Sequence, residues 1–147
     1  MKKLTFKRSM IAFAQPKRLS LALLALRLIV GTAFVIHGWG KIQHPMSWMG
    51  PQAPVPGFLQ LLAAFSEFGG GLGLILGLLT PLASLGIAIT MGVATLMHMA
   101  VMKDPFINPK GGSSYELALV FLCISILFLV AGPGKYSLDK NIFGEKK

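Results

Sequence analysis

Two ionisable residues lie far inside long apolar stretches of the chain, where a charge needs a partner. Arg27 lies eight residues into an otherwise uncharged run that begins near Leu19, and Glu67 lies nine residues into a run that begins near Phe58. An arginine at the centre of a bilayer costs about 2.5–3.5 kcal/mol on insertion scales. Counted from opposite faces of a ~30 Å hydrocarbon core, the two residues differ in depth by ~5 Å. The spacing therefore predicts a buried Arg27–Glu67 ion pair, in either a structural or a functional role.

A second group of ionisable residues falls near the ends of the apolar stretches. His37 and Lys41 end the first stretch, His98 lies about one turn before the end of the third, and Glu116 opens the fourth. In an up-down bundle these positions all belong to one end. We therefore expect a polar cup at that end, with the predicted ion pair as its floor, and take it as the candidate site.

The spacing of the histidines and carboxylates does not favour a metal site. Two histidines and a carboxylate can bind iron or zinc. However, the chain has neither H-x₃-H nor E-x-x-H spacing, and the ligands would come from different helices. We expect no metal. Cys123 is the only cysteine, so the chain forms no disulfide within itself.

The composition indicates a membrane protein. Of the 147 residues, 54% are hydrophobic and only 13% are charged, against about 25% charged in a typical soluble domain. So few polar residues cannot cover the surface of a soluble domain, and a disordered chain would be less hydrophobic. The net charge of +9 does not indicate nucleic-acid binding, because ten of the 14 basic residues flank the apolar blocks, before residue 19 or after residue 134.

Four nearly uncharged blocks predict four membrane-spanning helices in an all-α, up-down four-helix bundle. At ~1.5 Å per residue the first three reach the ~30 Å thickness of a hydrocarbon core, and the fourth reaches only ~25 Å. The first block lacks a small-residue cleavage site, so we expect a retained helix and not a signal peptide. The predicted regions are a basic N-terminal segment with an interfacial helix (1–18), a transmembrane domain (19–131, with spans at about 19–38, 58–79, 82–102 and 115–131) and a basic tail (132–147).

The basic residues predict the orientation of the bundle. Ten lysines and arginines fall in the terminal segments and three in the two loops at the opposite end. Because cytoplasmic segments carry the excess of positive charge, both termini are predicted to be cytoplasmic.

Small residues predict where the helices approach one another. Gly31 and Gly38 share a helical face with Arg27, and Gly70 and Gly71 lie close to Glu67. In lipid, small residues allow the close backbone contact that holds helices together. A second pattern predicts contact between the second and third helices through residues spaced by four: Gly69, Gly73 and Gly77 against Ser84, Ala88 and Gly92.

These motifs together resemble the DoxX family of four-helix membrane proteins. The resemblance covers roughly residues 19–140. The chain departs from it at Pro81, where many family members carry a basic residue. The matching motifs are Arg27 with Gly31, His37-Gly38 and Lys41; Glu67 with Gly69-Gly70 and Gly77-Leu78-Leu79-Thr80; Tyr115-Glu116-Leu117; and Gly132-Pro133-Gly134 with Ser137-Leu138-Asp139.

The resemblance implies a multi-pass protein of the bacterial cytoplasmic (inner) membrane. Some family members are subunits of thiosulfate:quinone oxidoreductase, and others belong to membrane redox and oxidative-stress complexes. We therefore expect a small membrane subunit of a quinone-linked redox system. A quinone would be the cofactor, bound by Arg27, His37, Lys41 and His98, with His37, Glu67 and Glu116 as the proton-handling residues.

The chain has no haem, flavin or iron–sulfur motif, so in such a system electrons would have to come from a soluble or membrane redox partner.

Two other functions are also compatible with the sequence. A non-enzymatic scaffold or assembly factor for a redox or stress complex would need the charged pair only as architecture. A small-solute carrier is the third alternative, although the chain lacks inverted repeats and broken helices. The sequence also leaves open a homo-oligomer.

Overall fold

The computed structural model describes residues 12–146, and the fold is helical. The interfacial helix predicted for the N-terminal segment falls mainly outside these residues. A short parallel pairing joins β1 to β2 and ties the two ends of the described chain together. The elements are β1 (Ala12–Phe13), α1 (Lys17–Gln43), α2 (Gly57–Leu76), α3 (Thr80–Leu96) with a π-helical continuation (Met97–Val101), α4 (Glu116–Ala131), α5 (Leu138–Phe143) and β2 (Glu145–Lys146).

Within the described residues, three helices are long and apolar enough to cross a membrane: α1, α2, and α3 with its π-helical continuation. Helix α4 is apolar but has only 16 residues, or ~24 Å. The predicted helical membrane bundle is thus confirmed with three to four spanning helices. Which side the termini occupy stays a prediction. We call the end with residues 41–57 and 103–115 the loop end, and the end with residues 77–79 and 132–146 the tail end.

The turn between α2 and α3 shows how local sequence determines which helices are neighbours in the bundle. Gly77 ends α2 in the left-handed conformation, with φ of +62°, and Pro81 lies in the first turn of α3. Proline is suited to a first turn because its missing N–H would have no helical partner there. With so short a connection, α2 and α3 must be antiparallel neighbours.

Helices α1 and α2 pack backbone against backbone, as the glycines predict. A Cβ atom at Gly38 would lie 2.5 Å from the backbone nitrogen of Phe68, and one at Gly71 would lie 2.7 Å from that of Val35. The second prediction is confirmed for the helices but not for the residues: α2 and α3 pack together, but the glycines do not face Ser84, Ala88 and Gly92. A Cβ at Gly73 would meet that of Ala83 at 3.1 Å, whereas one at Gly69 or Gly92 would meet no heavy atom of the described chain within 4 Å.

Helices α1 and α4 meet through side chains. The rings of Phe34 and Phe121 lie 4.9 Å apart, and Phe34 is buried with Val30, Ile87 and Phe128 in the apolar core. This core fills the middle of the bundle. The buried polar residues lie on either side of this core, in one group toward the loop end and another toward the tail end.

Candidate functional site

The predicted Arg27–Glu67 ion pair is wrong. Glu67 pairs instead with Lys41, and Arg27 donates a hydrogen bond to the backbone carbonyl of Tyr136. The cause is the register between α1 and α2. Helix α1 has 27 residues, ~40 Å, and so exceeds a ~30 Å core, which invalidates depths counted from the bilayer faces. Arg27 therefore lies beside Gly77, ten residues (~15 Å) along α2 from Glu67.

At the tail end, Arg27 belongs to a packed junction that fixes the C-terminal segment. The Asp139 carboxylate is buried and accepts hydrogen bonds from the backbone N–H groups of Leu79 (2.6 Å) and Thr80 (2.8 Å). It thereby caps the start of α3, where a negative charge is favoured by the helix dipole. The Asp139 N–H donates in turn to the Gly77 carbonyl at 2.8 Å. The negative charge of Asp139 also stabilises the Arg27 guanidinium.

At the loop end, Lys41 and Glu67 form an ion pair whose carboxylate is buried. The Lys41 Nζ lies 2.5 Å from the Glu67 Oε1, and the two side chains are 25% and 2% exposed. The Lys41 ammonium also lies 4.5 Å from the centre of the Trp48 ring, a cation–π contact. The second oxygen of Glu67, Oε2, is buried and has no hydrogen-bond partner within residues 12–146. A buried carboxylate oxygen without a donor is costly, so it marks a candidate binding position.

A cavity of about 180 Å³, the polar cavity, lies against this pair between all four long helices. It brings together four of the six predicted site residues, which come from three helices. Aromatic rings of α1 and α4 complete the wall. Its polar and aromatic lining residues are His37, Lys41, Glu67, His98, Phe34, Phe121 and Ser114.

His98 reaches the polar cavity from the π-helical segment and is held by a carboxylate. Its Nδ1 lies 2.7 Å from the Asp104 Oδ2, and the Asp104 N–H donates to the His98 carbonyl at 2.9 Å. This π-helical segment ends the helix, and π-turns are a known way for a helix to end. Asp104 is not predicted from the sequence, because its Asp-Pro context is also typical of an ordinary loop.

The remaining two predicted site residues lie elsewhere. Arg27 belongs to the tail end, and Glu116 starts α4 without lining the polar cavity. A carboxylate in the first turn is favoured by the helix dipole, which gives Glu116 a local structural reason. The structure therefore separates Arg27 and Glu116 from His37, Lys41, Glu67 and His98.

A second cavity of about 390 Å³, the apolar cavity, lies on the other side of the charge pair. It opens between α2 and α3 beneath the loop of residues 44–56. The two cavities share Lys41, Glu67 and Ala94, so they meet at the charge pair, where the small Ala94 leaves space. The other lining residues of the apolar cavity include Trp48, Val55, Leu59, Leu62, Thr90 and Met97.

Gln60, which the sequence analysis also missed, holds the loop over the apolar cavity. Its side chain donates to the Val55 carbonyl (2.8 Å) and accepts from the Met49 N–H (3.1 Å). The Trp48 Nε1 donates to the Gln60 backbone carbonyl at 3.0 Å. The sequence signals this role only through a polar glutamine near the start of an apolar helix. That signal does not by itself indicate what the side chain binds. These bonds place the Trp48 ring against Lys41.

Comparison with known proteins identifies the family. The DoxX family model matches residues 22–100, more than half of the chain. The chain belongs to the DoxX family. This DoxX protein is 35% identical over 127 residues to the inner membrane protein YqjF of Escherichia coli K12, covering 80% of the chain and 88% of the relative. It is 32% identical over 120 residues to an uncharacterized protein of Haemophilus influenzae, with the same two coverages. No solved structure matches the chain.

The relative and the helices agree on location. The E. coli relative is an inner membrane protein, and this DoxX protein has three helices long enough to span, within its described residues, and a fourth apolar one. Outward-facing side chains such as Ile29, Ile36 and Val130 are about 70% exposed, as lipid-facing residues should be. The protein is a multi-pass protein of the inner membrane.

Proposed function

We propose that this DoxX protein is a small membrane subunit of a quinone-linked redox system, and that its polar cavity binds the quinone head group. One observation carries the proposal: the Lys41–Glu67 pair lies where a polar cavity meets an apolar one. A quinone has both characters, since polar carbonyls are attached to an apolar ring and chain. The family resemblance points in the same direction.

The polar cavity offers donors for the two carbonyl groups of a quinone. Lys41 provides an ammonium, and His37 provides a ring N–H from one turn earlier on α1. Phe34 and Phe121 form flat apolar walls that suit an aromatic ring. Lys41 is neutralised by Glu67, so the cavity carries little net charge and favours a neutral ligand over an anion.

When bound, a quinone supplies two-electron, two-proton redox chemistry. Both Glu67 and His98 line the cavity: the Glu67 carboxylate can accept a proton from a quinol hydroxyl, and the His98 ring can donate or accept one. Asp104 holds the His98 ring and fixes which ring nitrogen faces the cavity. The electrons would come from a partner subunit that carries a flavin, haem or iron–sulfur centre.

Trp48 allows a direct test, because it lines the apolar cavity next to Lys41. The chain has two tryptophans, Trp39 and Trp48, so Trp39→Phe leaves Trp48 as the only one. With this variant in lipid nanodiscs, a short-chain ubiquinone should quench the fluorescence with a saturable curve. Trp48→Phe leaves Trp39, which is 58% exposed on the outside of α1 and should show only the linear quenching of quinone dissolved in lipid.

Substitutions at the charge pair separate binding from partitioning. In the Trp39→Phe background, Lys41→Met removes the ammonium donor to a quinone carbonyl and should weaken saturable quenching by tenfold or more, because a hydrogen bond to a charged group contributes about 1.5–3 kcal/mol. Glu67→Gln removes the carboxylate that holds this ammonium beside the cavity and should weaken the quenching as well. Lys110→Met and Glu145→Gln, which change residues outside both cavities, should not weaken it. Quenching that stays linear at Trp48, or that the charge-pair variants leave unchanged, would contradict the proposal and favour a scaffold.

A further inference from the structure

The outer face of the bundle carries a long groove between α2 and α3. It has a volume of about 550 Å³ and extends toward the tail end. Its floor is made of small residues, and its sides are apolar. The floor residues are Ser66, Gly69, Gly70, Gly73, Ala83 and Gly86.

This α2–α3 groove is continuous with the apolar cavity. The two share Leu62, Ser66, Gly86 and Ile89 as lining residues. Together they follow α2 from Leu59 to Leu76, ~26 Å, which is close to the thickness of a hydrocarbon core. About midway along this path, nine residues (~13.5 Å) before Leu76, lies Glu67, whose buried Oε2 has no partner among the described residues. The polar cavity, the apolar cavity and the groove are therefore adjacent to one another, with the charge pair between the first two.

We propose that the α2–α3 groove holds the isoprenoid chain of the quinone whose head group occupies the polar cavity. This inference rests on the proposed function and adds to it a preference for long-chain quinones. An extended single chain fits a groove that is long, apolar and floored by small residues. The Lys41–Glu67 pair beside this path favours an uncharged head group, because the charge of Lys41 is already neutralised by Glu67. A phospholipid bound with its head group beside Lys41 would place a phosphate next to a lysine that is already paired with Glu67.

Gly69 is the position at which the groove can be filled without disturbing the bundle. It lines the groove, and a Cβ atom there would meet no heavy atom of the described chain within 4 Å. Gly92 on α3 has equally open surroundings but lines neither the groove nor the two cavities. Gly69→Leu and Gly92→Leu therefore form a matched pair. Both replace a helical glycine by leucine on an open face, and only one occupies the groove.

The test compares two quinones with the same ring, one with no isoprenoid chain beyond a single unit and one with eight or more units. Binding is measured by saturable Trp48 quenching in the Trp39→Phe background, at equal quinone-to-lipid ratios. The wild-type groove should favour the long chain by about tenfold, through van der Waals contact with the groove walls, since both quinones are already dissolved in lipid. Gly69→Leu should abolish that preference and leave short-chain binding unchanged, and Gly92→Leu should preserve it.

The outcomes separate the two proposals. If both quinones bind the wild type equally, or if Gly69→Leu weakens both alike, the groove does not hold the chain, while head-group binding stands. If neither quinone binds, the proposed function itself fails. A phospholipid acyl chain as the natural occupant would show as competition by added phosphatidylglycerol against the long-chain quinone only, and this result would also overturn the groove proposal.

Discussion

Each end of the bundle has a cation close to a buried carboxylate, but the two ends use these charges differently. At the tail end, Asp139 accepts two backbone hydrogen bonds and Arg27 donates to a carbonyl, so both side chains hold main chain in place. Arg27 lines none of the cavities described above. At the loop end, Lys41 and Glu67 bind each other and face a cavity on either side.

The difference shows that a buried charge in an apolar helix does not by itself identify a site. Arg27 is fully buried, whereas Lys41 is a quarter exposed and lies near the end of α1. Burial alone would therefore select the wrong residue. Buried polar atoms without a partner in the described chain occur at both ends, at Nε and Nη1 of Arg27 and at Oε2 of Glu67, so the open volume next to Glu67 is what distinguishes the loop end. The following substitutions test this distinction.

Loss of the Arg27 charge should have the largest effect. Arg27→Met removes the bond to the Tyr136 carbonyl and leaves the Asp139 region without its nearby cation, so the free energy of unfolding should fall by about 3–5 kcal/mol. Unfolding in mixed detergent micelles, followed by circular dichroism, measures the change. Arg18→Met, an exposed position on the first turn of α1, is the control and should change stability little. An Arg27→Met protein as stable as the wild type would refute the structural role.

The Lys41–Glu67 pair should behave as a coupled unit in stability but not in binding. Glu67→Leu alone strands a lysine, and Lys41→Met alone strands a buried carboxylate, so each should lower the free energy of unfolding by about 2–3 kcal/mol. The double variant should regain most of that loss, with a coupling energy of about 0.5–3 kcal/mol. It should still fail to bind quinone. Additive single effects would mean that the two residues do not pair.

The cap at α3 should have an intermediate effect. Asp139→Ala removes the acceptor for the Leu79 and Thr80 N–H groups and should lower the free energy of unfolding by about 1–2 kcal/mol. Hydrogen exchange should increase at those two amides and at the start of α3, while the loop end keeps its protection. Faster exchange across the whole bundle would contradict a local cap.

The smallest effect on stability is expected at Asp104. The His98–Asp104 pair is partly exposed, so Asp104→Asn should change the free energy of unfolding by about 0.2–1 kcal/mol. The variant should nevertheless alter the His98 ring environment, because the carboxylate that holds Nδ1 loses its charge. Nitrogen chemical shifts of labelled histidine report this change. Unchanged shifts of the His98 ring nitrogens would show that Asp104 does not position the ring.

The sequence predicted the helical bundle well because its signals are local. Apolar block length predicts spanning helices, and Gly31, Gly38 and Gly71 indicate where α1 and α2 touch. The gathering of His37, Lys41 and His98 at one end was also predictable, since up-down topology alone requires it. These inferences need no knowledge of how one helix is shifted along another.

The ion pairs could not be predicted, because they depend on that shift. A shift of about ten residues (~15 Å) between α1 and α2 decides whether Glu67 lies level with Arg27 or near Lys41. The partner of Arg27 comes from the segment after α4, which contributes through a backbone carbonyl that no residue type reveals. Asp104 and Gln60 could not be predicted for a related reason, since each joins a helix to an irregular loop whose path the sequence does not reveal.

The most direct test of the contrast between the two ends is the melting temperature with and without short-chain quinone in two variants, Asp139→Ala and Glu67→Gln. At a quinone concentration 100-fold above the dissociation constant, binding should stabilise the wild type by about 2.7 kcal/mol. We expect Asp139→Ala to melt at a lower temperature and to keep the full quinone-dependent increase, and Glu67→Gln to lose that increase. An increase that survives in Glu67→Gln, or one that disappears in Asp139→Ala, would contradict the assignment of binding to the loop end.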